Sequence, residues 1–365
     1  MKCEKVSLFD LACWKNGLAF KNIQFAAKGK PIIKITELKN GITTQTRFTE
    51  QVFDDNVSLK KGDMLFSWSG NPETSIDVYW YELPDGWLNQ HIFKVTPKGF
   101  VDKFYLYYLL KSFKKVFTNI ASNKQTTGLG HVTVKDLKEI FVNLPDLSYQ
   151  RLIGEYLNKI DEKIRINNRI NDNLEKQAKT IFEKCFPDIN NGSDIIGKVI
   201  VPKRGKNLLS KNAVFGDIPV IAGGIEPTIY HNIANTIPPV ITISASGANA
   251  GYVNLWNRPV WSSDSSFIDS SMTKNVYFWY ILLKNKQKEI FESQTGSAQP
   301  HIYPKHITEL KINIPSKESI QEFSLIITPF FEHISKNLFE NDKLSNIRNA
   351  ILPKLISGNI DISNI

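Results

Sequence analysis

Cysteine is scarce in this chain: three residues in 365, namely Cys3, Cys13 and Cys185. No two have the C-x2-C spacing of a structural zinc site. So sparse and odd a set fits reduced thiols inside a cell. Cys3 and Cys13 read as small core residues. Long apolar runs are missing as well. No window reaches the ~18 apolar residues of a membrane span, and the opening MKCEKVSLFDLACWKNG lacks the apolar core of a signal peptide. The expectation is a soluble cytoplasmic protein without a membrane partner.

Catalytic signatures are also lacking. There is no G-x-x-x-x-G-K-[ST] loop, no G-x-G-x-x-G after a strand and no H-E-x-x-H. Ile237-Pro238-Pro239-Val240 has the prolines of an amino-methylating loop without its polar residue. Pro145-Asp146 followed by Asp161-Glu162-Lys163 imitates a nuclease metal motif, but the second group falls on a helical pattern. No G-x-S-x-G elbow surrounds Ser69 or Ser246, which read as turn residues. The chain therefore reads as non-catalytic, with no metal site.

What is present is an ordinary globular composition with a basic excess. Hydrophobic residues make up 42% and charged residues 22%, and the formal net charge is +9. The length suggests two or three domains. The charge fits a polyanionic partner, nucleic acid or a membrane surface.

The chain also repeats itself. HVTVKDLKEIFVNLP (131–145) returns as HIYPKHITELKINIP (301–315). Upstream, Leu8, Lys15 and Gly17 line up with Ile196, Lys203 and Gly205, and Ser69-Gly70 with Ser246-Gly247. YLYYLLK (105–111) lines up with FWYILLK (278–284). The offset only falls along the chain, as a duplication with a few deletions requires. In each copy, short apolar runs read as strands: KPIIKITEL, DMLFSWS, PVIAGG and PVITISAS. FYLYYLL (104–110) and VYFWYILL (276–283) read as buried helices. Thr133 followed by Asp136 marks an N-cap, and Pro304 a first helical position, so short helices are expected at 134–139 and 304–309. Strands should follow at 140–144 and 310–314, stopping at Pro145 and Pro315.

The segment 148–186 has a heptad seam: Ile153, Leu157, Ile160, Ile164, Asn167, Asn171, Leu174, Ala178, Ile181 and Cys185. The second copy repeats it from Phe323, with Asn337 and Asn341 at the corresponding places. Core asparagines cost stability and specify register. The expectation is an antiparallel pair in which Asn167 and Asn171 face Asn337 and Asn341; the alternative is that all four face solvent. Pro329 and Pro353 should kink or shorten the second helix, and Thr328-Pro329 offers a restart.

Polar loops recur at matching places. The DNA-contact candidates in the first copy are Lys28, Lys30, Thr44, Gln45, Arg47, Asn89, Gln90, Lys124, Gln125, Thr126 and His131. In the second they are Lys203, Arg204, Lys206, Asn249, Ser263, Gln294, Ser297, Gln299 and His301. Lys and Arg neutralise phosphates, whereas Asn, Gln and Arg read base edges. TTGLGHVTVKD and TGSAQPHIYPKH also run into helix N-termini, which can present N–H groups to a phosphate. Ordinary surface loops are the alternative reading.

The organisation resembles the specificity subunit of type I restriction-modification systems. The resemblance rests on GDMLFSWSG (62–70) with LNQHI (88–92), TGSAQPHI (295–302), the Leu144-Pro145 and Ile314-Pro315 junctions, the long helices and LISGNI (355–360). It covers essentially the whole chain. It implies an α+β fold: two similar mixed α/β target recognition domains joined by two long antiparallel coiled-coil helices, a pseudo-two-fold internal repeat. The domains would be 1–146 and 187–315, with one spacer helix at 147–186 and the second, followed by a C-terminal tail, at 316–365. It further implies a subunit that binds double-stranded DNA at a split, asymmetric sequence and binds no cofactor itself. Its partners would be two methylation subunits, which use S-adenosylmethionine, and two restriction (motor-nuclease) subunits, which use ATP with Mg. A stand-alone DNA-binding or decoy protein of the same fold, and a protein-interaction scaffold without a DNA role, are the rival readings.

Overall fold

Alternation explains the central strand Met64–Ser67, in which every residue is buried. Met64 and Phe66 point into one apolar cluster and Leu65 into another, because successive side chains leave opposite faces of a strand. The computed structural model describes residues 4–20, 25–125, 128–227, 229–296 and 299–360. The chain forms two units, Met1–Ile164 with Asp342–Ile365, and Arg165–Asn341.

In the first unit a four-stranded antiparallel sheet runs in the order Ala12–Asn16, Ile92–Pro97, Met64–Ser67, Asp77–Trp80. Helices Lys103–Ser112 and Lys114–Asn123 cover one face with Tyr105, Leu109 and Phe117. The other face packs on a second sheet, where Lys30–Ile33 and Gly86–Leu88 pair in parallel through Ile32↔Trp87 and Ile33↔Leu88. Glu4–Ser7 pairs with Phe141–Leu144, and Ser69–Gly70 with Gly130–His131.

The second unit has the same connectivity. Its four-stranded sheet runs Lys203–Arg204, Ser265–Asp269, Val240–Ser244, Val253–Trp256. Ile218–Ile221 and Trp261–Ser262 form the parallel pair through Val220↔Trp261. Asp194–Ile195 pairs with Lys311–Ile312, and Ser246 bridges to His301. The buried helix is Val276–Asn285. Ser69 and Ser246 are thus bridge residues rather than turn residues.

The short helices are Val134–Glu139 and Pro304–Thr308. Thr133 caps the first: its N–H donates to Asp136 Oδ2 at 2.6 Å and its Oγ1 accepts from Asp136 N. The first long helix is Leu147–Cys185 and the second Lys317–Ile356. The domain limits 146/147, 186/187 and 315/316 follow element type, whereas each unit's core also includes helix ends. Tyr149, Ile153, Leu157 and Leu355 lie in the first core; Ala178, Phe182, Phe323 and Ile327 lie in the second.

Within the second unit the helix segments are antiparallel. Asn167 Nδ2 donates to Asn341 Oδ1 at 2.9 Å and Asn337 Nδ2 to Asn171 Oδ1 at 2.8 Å. All four asparagines are buried. Within the first unit Arg348 pairs with Asp161, which also accepts from Tyr108 Oη at 2.6 Å.

Other expectations fail. KPIIKITEL is not one strand: Ile35–Asn40 is helical, because buried Glu37 accepts from Lys34 N at 3.0 Å and from Thr46 Oγ1 at 3.2 Å. Cys13 is exposed, not core; its strand turns Trp14 instead toward Phe66 and Phe93. Cys185 is exposed too. Phe182 takes its place, because a 3.6-residue turn drifts from a strict heptad by ~20° per repeat. Finally, the second helix is not shortened at Pro329 or Pro353, because it runs through both. Pro329 is on the exposed side, where the Leu325 carbonyl left without a donor can meet water, and Thr328 Oγ1 donates to Ser324 O at 2.7 Å. Thr328 is therefore not a restart. Cys3 lies outside the described residues.

Candidate nucleic-acid interface

Main-chain hydrogen bonds place one position from each of four distant segments side by side, and do so twice. In the first unit Gly17 N donates to Ile92 O, Trp68 N to His91 O, and Val132 N to Trp68 O. In the second, Gly205 N donates to Ser265 O, Ala245 N to Asp264 O, and Ile302 N to Ala245 O. These bonds make Asn16 the counterpart of Arg204, Trp68 of Ala245, His91 of Asp264 and His131 of His301. The glycines are needed for the close approach. A Cβ on Gly17 would lie 2.2 Å from Asn89 O, and one on Gly205 2.5 Å from Ser263 O.

The backbone is shared; the chemistry is not. In the first unit Trp68 Nε1 donates to Asn16 Oδ1 at 3.0 Å, and the Trp68 ring packs 5.6 Å from His91 and stacks on Phe93. Gln90 Nε2 lies 3.2 Å from His91 Nε2. Burial, then the charge of His131, holds the His91 pKa below the usual imidazole range. In the second unit Arg204 Nη2 donates to Asp264 Oδ1 at 2.6 Å. Asp264 Oδ2 accepts from Ser246 Oγ. The guanidinium lies over the Tyr303 ring, which stacks on His301 at 6.0 Å.

The other candidates are scattered. Lys28, Lys30, Thr44, Gln45, Arg47 and Gln125 are exposed; Lys30 lies over Trp87 and Arg47 over Phe25. Lys203, Lys206 and Gln299 are exposed, and Lys206 O accepts from Trp261 Nε1. Asn89 and Ser263 are buried, the latter accepting from Leu208 N at 3.0 Å. Gln294 Nε2 donates to Ala250 O at 2.7 Å, and Asn249 O accepts from Tyr252 N. Lys124 is ion-paired with Asp136. Thr126 and Ser297 lie outside the described residues.

The helix N-terminus after TTGLGHVTVKD is not a phosphate site. The Asp136 carboxylate already fills it, held below the usual range despite its burial by Lys124 and Thr133. The Pro304–Thr308 N-terminus is likewise closed, with His306 Nδ1 accepting from Tyr303 N at 2.9 Å. Among the described residues no group of three or more His, Cys, Asp and Glu side chains is placed to hold a metal ion. None of their helices is long and apolar enough to cross a membrane.

Asn16, Trp68, His91, Ser246, Asp264 and Tyr303 were missed in the sequence. Their signal was adjacency to the repeated anchors. A search for what recurs passes over positions whose residue changes, and Ser246, which does recur with Ser69, reads there only as a turn residue.

A family model described as type I restriction modification DNA specificity domain matches residues 2–176 and 196–345. Over 318 residues the chain is 25% identical to the type I restriction enzyme MjaIX specificity subunit of Methanocaldococcus jannaschii, covering 76% of this chain and 73% of that one. It is 21% identical over 387 residues to the MjaVIII specificity subunit of the same organism, covering 92% and 87%. The crystal structure of a type I restriction-modification system S subunit from M. genitalium shares the fold. Its TM-score is 0.56 at 20% identity, covering 97% of this chain and 96% of that one.

Proposed function

The chain belongs to the type I restriction modification DNA specificity family, and from that premise we propose that each of its two units reads one half of a split, asymmetric DNA sequence. The family is non-catalytic: its members recognise DNA and assemble with the other subunits of a restriction-modification system. The observation that carries the bipartite reading is the doubled topology with changed side chains at one doubled position. Equal scaffolds suit equal docking on a duplex, and unequal side chains suit unequal half-sites. The formal charge of +9 suits the phosphate backbone.

The assembly we propose has two methylation subunits, which use S-adenosylmethionine, and two motor-nuclease subunits, which use ATP with Mg. This chain contributes sequence reading, binds no cofactor and works in the cytoplasm.

Methylation mapping in cells that express the assembled complex tests the reading. A split, asymmetric methylated sequence is expected. Exchanging residues 1–145 for those of a relative should change one half of it only. Methylation without sequence preference, or an exchange that alters both halves, would overturn it.

A further inference from the structure

We propose that Arg204 is a base-reading side chain of the second unit and that the base it reads is guanine; this rests on the DNA-recognition reading above. Arg204 sits at the end of its strand, 41% exposed, beside Asp264 at 34%. Its guanidinium is fixed on two sides. Asp264 takes a hydrogen bond from Nη2 at 2.6 Å, and Cζ lies over the Tyr303 ring, 6.0 Å from its centroid. Asp264 is itself oriented by Ser246 Oγ. A side chain so held has surrendered its rotamer freedom before any ligand arrives, which lowers the cost of a directional contact.

Charge decides between phosphate and base. A carboxylate 2.6 Å away offsets the guanidinium charge, so this arginine has little attraction for a phosphate compared with the exposed Lys203 and Lys206. Its planar fork keeps donors beyond the one Asp264 uses, since a guanidinium has five N–H groups. A planar pair of donors matches guanine O6 and N7, the commonest specific contact in the major groove. The counterpart of Arg204 is Asn16, whose Oδ1 is already taken by Trp68. A short amide cannot make the guanine fork, so the two half-sites must differ at this position.

The test is selection from a randomised duplex DNA library by the assembled complex, using the wild-type chain, Arg204→Ala and Arg204→Lys. The wild type should enrich a split sequence. Arg204→Ala should lose preference for one guanine in one half-site, by roughly 5- to 150-fold, and leave every other position unchanged. Arg204→Lys keeps the charge but not the fork and should lose the same guanine preference; it also serves if the alanine variant fails to fold. Unchanged preferences in the folded variants would overturn the proposal. So would a uniform loss over all sequences with a salt slope lower by about one, the mark of a phosphate contact. A wild type that enriches no sequence would instead remove the DNA reading itself, and this proposal with it.

Discussion

Asn337 Nδ2 donates to Asn171 Oδ1 at 2.8 Å across the two long helices, both residues lying in the buried seam. Beside them, Asn171 Nδ2 and Asn167 Oδ1 are buried without a partner among the described residues. The layer is thus specific and costly at once, since each unmatched amide atom retains its desolvation penalty. Asn337→Leu alone should cost about 1–3 kcal/mol, because it strands Asn171. Asn171→Leu with Asn337→Leu should restore at least wild-type stability. Denaturant midpoints check this; a double variant weaker than Asn337→Leu alone would refute it.

Gly154 in the first long helix lies against the start of helix Lys103–Ser112. A Cβ there would come within 2.7 Å of Tyr105 N and 2.8 Å of Asp102 Oδ1, the cap that accepts from Phe104 N and Tyr105 N. Backbone and cap cannot both move aside, so Gly154→Ala should cost about 1–3 kcal/mol. The corresponding residue of the second copy is Ser324, whose Oγ bonds within its own helix to Ile320 O. Ser324→Ala should cost less than Gly154→Ala. Equal losses in thermal unfolding would show that the close approach does not matter.

The long helices were legible because a heptad pattern sustained over five repeats averages out local noise, and the Thr133–Asp136 cap was legible because it is local. Other features depended on contacts the sequence order hides. Glu37 forms its helix with help from Thr46, nine residues on. Phe182 displaces Cys185 only because the helical period is not the heptad's. The Asn16 and Arg204 positions are each assembled from four separate segments, so neither spacing nor periodicity could reveal them. The candidates chosen by loop chemistry included Arg204 but missed Asp264, its orienting partner.

Asp77 provides a pH test. Its Oδ1 bonds Lys111 at 2.9 Å and its Oδ2 bonds Lys114 at 2.8 Å. Burial alone would raise its pKa; the Lys111 charge and the hydrogen bonds from both lysines outweigh it and hold the carboxyl below 3.8. A depressed folded-state pKa gives stability that is complete above the unfolded value and is lost as pH falls through the folded one. Asp77→Asn should therefore lower stability near neutral pH by about 1–3 kcal/mol. It should lower it less in strong acid, so the melting temperatures of variant and wild type converge as pH falls below 3.8. A gap that is constant with pH would show that the carboxylate charge contributes nothing.

Lys203 and Lys206 flank Arg204 and are exposed, and this contrast separates positioning from reading. A lysine on a phosphate attracts every sequence equally, and each such contact adds about 0.9 to the slope of log affinity against log salt. Lys203→Ala with Lys206→Ala should therefore weaken binding of the assembled complex to all duplexes alike. It should reduce that slope by about 2 and leave the preferred sequence unchanged. Arg204→Ala should do the reverse, changing the sequence and sparing the slope. Titrations on one preferred and one scrambled duplex at several salt concentrations measure both. A changed preference in the double-lysine variant, or an unchanged slope, would mean that the two lysines do not lie on the DNA backbone.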